Sequence, residues 1–417
     1  MSPAVDPIDV LDIRNGGNIN PGKSLCDEVV DGLTALPKSQ VVVEEGLPDI
    51  LWNKSLPTVV LYQGHGIVLF EDITRDPKYY VYHEEMEILA RHGSSIVEAL
   101  TSGIAVDRTN YVISAKDSNN LCNVNLTLID LGAGSLTKAE SLLHSIEAAN
   151  LRFSGPPKIS STYYAGPGSA LQVDIQYHQL RDRLHGLLER NPSFLSGHRL
   201  PHGEHGGDGI AIRGVCGSYF DSLSRLQKGE FQCGESNMDT VPSRKCLMWL
   251  GSSVTNMEPA EAIAFLRNLA TSGLQDDNML LIGVDHCRDT DKIKAAYSET
   301  SGRWKAYVRN GIRNAGVLLG RHGAPLTAGA ERWELVTRWD KENGRHMRFV
   351  RCPEKLSFST KTGRIEIDKN EHVFVAQSFK YSPNHIKDCF NKAGLHIVNR
   401  WSLDQGDCSL YLLQRSG

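Results

Sequence analysis

The chain has 417 residues, with 45 Lys plus Arg against 49 Asp plus Glu, a net charge of −4, and 40% hydrophobic, 7% aromatic and 23% charged residues. These are ordinary globular values, and they exclude a disordered tail, a collagen and a disulfide miniprotein. The mild acidity argues against a nucleic-acid surface, which needs clustered Lys and Arg, and no run of about 18 apolar residues exists to span a bilayer. The N-terminal stretch MSPAVDPIDVLDIRNGG has no basic start and no apolar core, so no secretion signal is visible. Nine cysteines (26, 122, 216, 233, 246, 287, 352, 389 and 408) are scattered without a CxxC. An odd, dispersed set reads as thiols in a reducing cytoplasm, with no bridges and no metal site. At roughly 150 residues per domain, the length predicts about two or three domains.

In chain order, GGNINPGKS (16–24) reads as loop and Cys26 to Leu36 as a short amphipathic helix. LPTVVLYQGHGIVLFEDI (56–73) is apolar around Gly64 and Gly66. A helix is predicted from about Glu84 to Leu100, where Ile88, Leu89, Ile96, Val97 and Leu100 follow the 3.6 period. Strands and helices then alternate. Five apolar strands (126–131, 158–165, 209–216, 245–250 and 278–285) are separated by helices at about 136–150, 170–188 and 259–272. Near-continuous apolar strands between helices predict a parallel sheet covered on both faces, a doubly wound α/β domain. After about residue 288 the rhythm changes to one long helical stretch, 289–319, and then five strand-like segments. These are RWELVTRW, RHMRFVRC, LSFST, RIEID and VFVAQSF, which suggest an antiparallel sheet. A helix at 383–394 and two strands, HIVNRW and CSLYLLQ, close the chain.

Two motifs fall at strand ends, where open α/β sheets bind ligands. DLGAGS (130–135) follows the first of the five strands, and its G-x-G spacing with a helix N-terminus suits a nucleoside-bearing ligand. LGSSVTN (250–256) follows the fourth and leaves Asn256 above the sheet. The plain alternatives are a tight turn and a helix start. Tyr62, Tyr79, Tyr80, Tyr82 and Tyr297 could wall a cavity that holds a cation, although packing is the commoner duty of any one tyrosine. His198, His202 and His205 with Glu204 lie in a Gly-rich loop and read as surface rather than metal ligands. Asp285-His286-Cys287 reads as structural, because neighbours on an extended segment point to opposite faces.

LYQGHGIVLFEDITRDPKYYVYHEEMEIL (61–89), DLGAGSLTK (130–138), LGSSVTNMEPAEAIAFLRNL (250–269), DTDKIKAAYSETSG (289–302) and QSFKYSPNHI (377–386) resemble, in order, the blocks of the ergothioneine-pathway histidine N-methyltransferase family. The likeness runs from about residue 8 to the end. The LPTVVLYQGHG stretch and GSYFDS (217–222) look most like the fungal branch, which includes the 4-dimethylallyltryptophan N-methyltransferases of alkaloid biosynthesis.

The resemblance implies a Rossmann-like class I methyltransferase domain over residues 84–287 and 381–417. It implies a second α/β domain, capping the substrate, over 8–83 and 288–380, with 1–7 as a tail. It implies S-adenosyl-L-methionine as cofactor, held by Tyr62, Gly132, Gly134, Lys138, Ser218, Tyr219 and Gly251. Tyr79, Asn256 and Tyr297 would hold the substrate's amino and carboxylate groups, and Met347, Ala376 and Ser378 its side chain. The implied partner is a small amino-acid or alkaloid-precursor substrate. Two positions depart from the family. Ala376 stands where the histidine enzymes carry a Glu on the imidazole, which favours an indole-type substrate. Pro167 stands where the family has an Asp for the ribose hydroxyls, and proline cannot accept those hydrogen bonds. The implied activity is N-methylation of the α-amino group of an aromatic, indole-type amino acid. A scaffold reassigned to another reaction and a non-catalytic binding protein are the alternatives.

Overall fold

The computed structural model describes residues 10–13, 24–34, 39–102, 124–132, 134–151, 159–165, 177–196, 210–217, 219–228, 231, 243–274, 277–360 and 363–417. Its strands are β1 (Val10–Asp12), β2 (Gln40–Val42), β3 (Ile50–Ser55), β4 (Val124–Asp130), β5 (Ile159–Ala165), β6 (Leu195–Ser196), β7 (Ile210–Cys216), β8 (Ser243–Trp249), β9 (Met279–Asp285), β10 (Glu334–Asp340), β11 (Arg345–Arg351), β12 (Leu356–Ser359), β13 (Arg364–Ile367), β14 (His372–Phe379), β15 (Leu395–Ser402) and β16 (Cys408–Arg415). Its α-helices are α1 (Leu25–Leu33), α2 (Gly66–Thr74), α3 (Tyr80–Thr101), α4 (Thr137–Leu151), α5 (Tyr177–Arg190), α6 (Tyr219–Gln227), α7 (Pro259–Ser272), α8 (Thr290–Ala296), α9 (Gly302–Leu318), α10 (Ala324–Gly329) and α11 (Pro383–Lys392).

The apolar runs become one large sheet with strand order β1-β7-β5-β4-β8-β9-β16-β15, and β6 pairs with β7. The pairs from β1 across to β9 are parallel. β16 then runs antiparallel to β9, and β15 to β16. β9 is buried along its whole length, as its unbroken apolar sequence MLLIGVD requires in a sheet covered on both sides. One face packs against α3, α4 and α5 through Ile88, Leu89, Leu142, Leu143 and Leu184. The other packs against α6, α7 and α11 through Leu223, Phe265, Leu266 and Phe390. The helical stripes read from the sequence for α3, α4 and α7 are therefore the buried ones.

A second sheet has the order β10-β11-β14-β3-β2. Its strands pair antiparallel except β14 and β3, which are parallel. β12 and β13 form a separate hairpin rather than extending this sheet.

Two further features differ from the sequence reading. Val10–Asp12 pair with Gly214–Cys216 on the edge of the large sheet, although residues 8–83 were expected with the second sheet. The pairing is long-range, so no local pattern announces it. The stretch 289–319 is two helices, not one, broken at Tyr297–Ser301. Ser298 and Thr300 hydrogen-bond each other there (2.8 Å) and Ser301 takes an extended backbone, so short polar side chains compete with the helix ladder. Among the described residues no helix is long and apolar enough to cross a membrane.

Candidate active site

The turns after β4 and β8 open onto one cavity at the carboxyl ends of the parallel strands. After β4 the chain reverses through Gly132 (φ 125°) and Gly134 (φ 51°), both in the region that favours glycine. Arg183 of α5 anchors the turn by donating to the Gly134 carbonyl (2.6 Å), and it pairs with Glu71 of α2 on the cavity wall. After β8, Gly251 (φ 81°) and Ser252 (φ 57°) are both left-handed, leading into a 3-10 turn, Ser253–Asn256. Ser252 is held in that costly conformation by Asp285, whose N–H donates to its hydroxyl (2.9 Å), and by Thr255, whose hydroxyl donates to its carbonyl (2.7 Å).

Glu85 of α3 links the two turns. Both of its carboxylate oxygens accept the Gly251 N–H at 2.9 Å, and Lys138 at the start of α4 pairs with it. Lys138 is therefore engaged within the protein rather than standing free.

Tyr62, Tyr79 and Tyr297 supply an aromatic wall. Tyr79 ends the loop before α3 and packs edge-on against Tyr297 (5.7 Å between ring centres), Trp304 (5.9 Å) and Phe70 (6.1 Å). Tyr62 packs on Phe70 and Tyr307. Tyr297 sits in the break between α8 and α9, stacks on His346 of β11 (4.6 Å) and accepts a hydrogen bond from Lys380 (3.0 Å). Lys380 is fully buried, ion-paired with Asp285, and also donates to Ser378 (3.1 Å). The Tyr80 hydroxyl donates to the same Asp285 carboxylate (2.7 Å).

Burial dominates the electrostatics. It pushes the phenols of Tyr79 and Tyr297 well above their ordinary range, so both stay protonated and serve as donors or apolar walls, not bases. Burial lifts the Asp130 carboxyl to about 7, against the opposing hydrogen bond from Tyr163 (2.9 Å) and the charge of Lys138. His346 is driven well below its usual range by burial, then by Arg348 and Lys380, and is neutral.

Of the residues singled out from sequence, Tyr62, Gly132, Gly134, Lys138, Gly251, Tyr79, Asn256, Tyr297 and Ser378 all line this cavity. Tyr82 lines it too, while Tyr80 is a buried structural partner. Met347 is not brought there. It packs in a separate cluster with Val42, Ile50, Trp52 and Phe349, because its strand neighbours His346 and Arg348 take the face toward Tyr297. Ala376 is buried within the main core and not among the lining residues. Ser218, the Tyr219 side chain, Pro167 and the 198–205 histidine cluster lie outside the described residues. The seven described cysteines are free. At 285–287, His286 donates from Nδ1 to the Tyr381 carbonyl (2.6 Å) and the Cys287 thiol is pushed up to about 12 by burial, which fits the structural reading.

Sequence reasoning missed Glu85, Asp130, Arg348 and Lys380. Asp130 alone carried a signal, as the last residue of the strand that enters the glycine turn.

A family model described as histidine-specific methyltransferase, SAM-dependent, matches residues 26–415. The chain is 27% identical over 366 residues to ergothioneine biosynthesis protein 1 of Neurospora crassa, covering 87% of this chain and 33% of that one, so it spans about a third of that protein's length. It is 23% identical over 406 residues to the N-methyltransferase imqF of Aspergillus flavus, covering 97% of this chain and 88% of that one. It is 23% identical over 402 residues to the 4-dimethylallyltryptophan N-methyltransferase easF of Arthroderma benhamiae, covering 95% and 98%.

Proposed function

The chain belongs to the family of histidine-specific, S-adenosylmethionine-dependent methyltransferases, and on that premise we propose that it methylates the α-amino group of an aromatic, indole-type amino acid. Its large sheet is the Rossmann-like class I methyltransferase domain. The observation that carries the proposal is the single cavity that joins both glycine turns to Tyr79, Asn256 and Tyr297.

The residues present fit the methyl donor. Gly251 lines the cavity beside Lys138 in a left-handed backbone (φ 81°) that a side chain would strain. The tyrosine faces suit a sulfonium cation. Gly132, Gly134 and Gly251 would hold the donor, with Tyr62 as a wall, and Lys138 would act through Glu85. S-adenosylmethionine supplies an already activated methyl group, so the protein's task is mainly alignment.

The Asn256 side chain lines the cavity and makes no hydrogen bond with the described residues, so its amide is available to the substrate. Tyr79 and Tyr297, held protonated, would donate to the amino acid and turn the nitrogen lone pair toward the donor. The attacking amine must be neutral, and burial in this aromatic cleft lowers the pKa of an ammonium group. The proton then leaves to water rather than to a phenolate. The second sheet and α9 would close the cleft over the substrate.

An indole-type side chain is favoured by the aromatic wall, and it accords with the 4-dimethylallyltryptophan substrate of the easF relative. The test is methyl transfer from isotopically labelled donor to tryptophan, 4-dimethylallyltryptophan, histidine, phenylalanine and tyrosine. Labelled methyl on the α-nitrogen of an indole substrate is expected. Turnover of histidine with none of either indole would overturn the proposal.

A further inference from the structure

Arg348 of β11 is 93% buried, its residual exposure being 7%, and it lines the cavity. Its Nε has no hydrogen-bond partner, and the side chain makes no ion pair among the described residues. Among the described residues, the other cations on or beside the wall are matched. Lys138 has Glu85, and Lys380 just behind the wall has Asp285. The guanidinium lies over two aromatic rings, 4.7 Å from the centre of Trp304 and 5.5 Å from that of Tyr297. Those contacts orient it and offset part of the cost of burial, but a ring face does not neutralise a charge. Nor can its neighbours. His346 is neutral, and Ala376, the residue directly across on β14 and on the same face, offers no counter-charge.

We propose that Arg348 binds a carboxylate of the amine substrate, making the enzyme selective for acids over the corresponding decarboxylated amines. This rests on the proposed amine methylation at the same cavity. Arginine's planar fork matches a carboxylate with two parallel hydrogen bonds, and a buried cation with free donors is the strongest form of that recognition. The carboxylate is either the α-carboxylate or one on the side chain.

The test is equilibrium binding, by calorimetry in the presence of S-adenosylhomocysteine, of four pairs: histidine and histamine, phenylalanine and phenethylamine, tyrosine and tyramine, tryptophan and tryptamine. A second arm compares 5-carboxytryptamine with tryptamine. The wild type is expected to bind the acid at least tenfold more tightly in one arm, and the arm identifies which carboxylate is read. Arg348→Met should bring acid and amine within about twofold, and Arg348→Lys should keep part of the preference. Equal binding in every comparison, or a preference that survives in Arg348→Met, overturns the proposal. So does an Arg348→Met variant that loses only S-adenosylhomocysteine, which would assign the guanidinium to the donor's own carboxylate. The wild-type comparison decides the matter even if the variants do not fold. Absence of methyl transfer to any of these amines would sink the proposed activity and leave the binding comparison intact.

Discussion

A Cβ on Gly283 would lie 1.8 Å from Glu85 Oε1, so the bare position on β9 and the buried carboxylate on α3 require one another. That carboxylate caps the Gly251 N–H and holds Lys138, and it thereby fixes both turns that floor the cavity. Gly283→Ala should displace it. Overpacking and a lost buried hydrogen bond together predict a stability loss of about 1–3 kcal/mol. Donor binding should weaken with it. Urea unfolding and calorimetry on the same variant measure the two effects.

The fully buried Lys380–Asp285 pair lies behind Tyr297 and Ser378. Removing one member leaves an uncompensated buried charge. Lys380→Met should cost about 3–5 kcal/mol in denaturant unfolding, and the double variant Lys380→Met/Asp285→Leu clearly less than the sum of the singles. Additive losses would mean that the two charges do not interact.

Asp130 gives stability a distinctive pH dependence. Its folded pKa is raised to about 7 by burial, above the ordinary 3.8. The folded state therefore holds a proton that the unfolded chain has released. Its contribution is fully present below about pH 4 and is lost as the pH rises through 7. Relative to Asp130→Asn, the wild type should lose on the order of 2–3 kcal/mol between pH 5 and 8 and then level off. A difference independent of pH would show that Asp130 titrates normally.

Tyr79 and Tyr297 carry phenols that burial keeps protonated. Tyr79→Phe should fold normally and lower kcat/KM by about ten- to a hundredfold, the worth of one buried hydrogen bond to substrate. The pH profile of the wild type should show no rise from tyrosine ionisation between pH 8 and 10. Steady-state kinetics beside a thermal melt separate this from misfolding.

Much of the architecture could be read from the chain because it is local and periodic. The stripe of α3, the continuous apolar run of β9 and the glycines after β4 are statements about neighbours in sequence. The residues that were not legible act across long separations. Glu85 meets Gly251 and Gly283, Lys380 meets Asp285, and β1 meets β7. Nothing in HEEMEIL distinguishes Glu85 from the exposed Glu87 two positions on, since only the fold turns one carboxylate inward. Met347 failed for a related reason. The family resemblance assigned it to the substrate pocket, but a one-residue step on a strand reverses the face, and here Arg348 rather than Met347 lines the cavity.

The most direct test of the account is a calorimetric titration of the whole chain with S-adenosylmethionine, repeated with Gly251→Val. The wild type should saturate at one donor per chain, and the variant, whose side chain intrudes beside Lys138, should bind at least tenfold more weakly. Absence of binding by the wild type at millimolar donor, or equal binding by the variant, would contradict a donor seated over the two glycine turns.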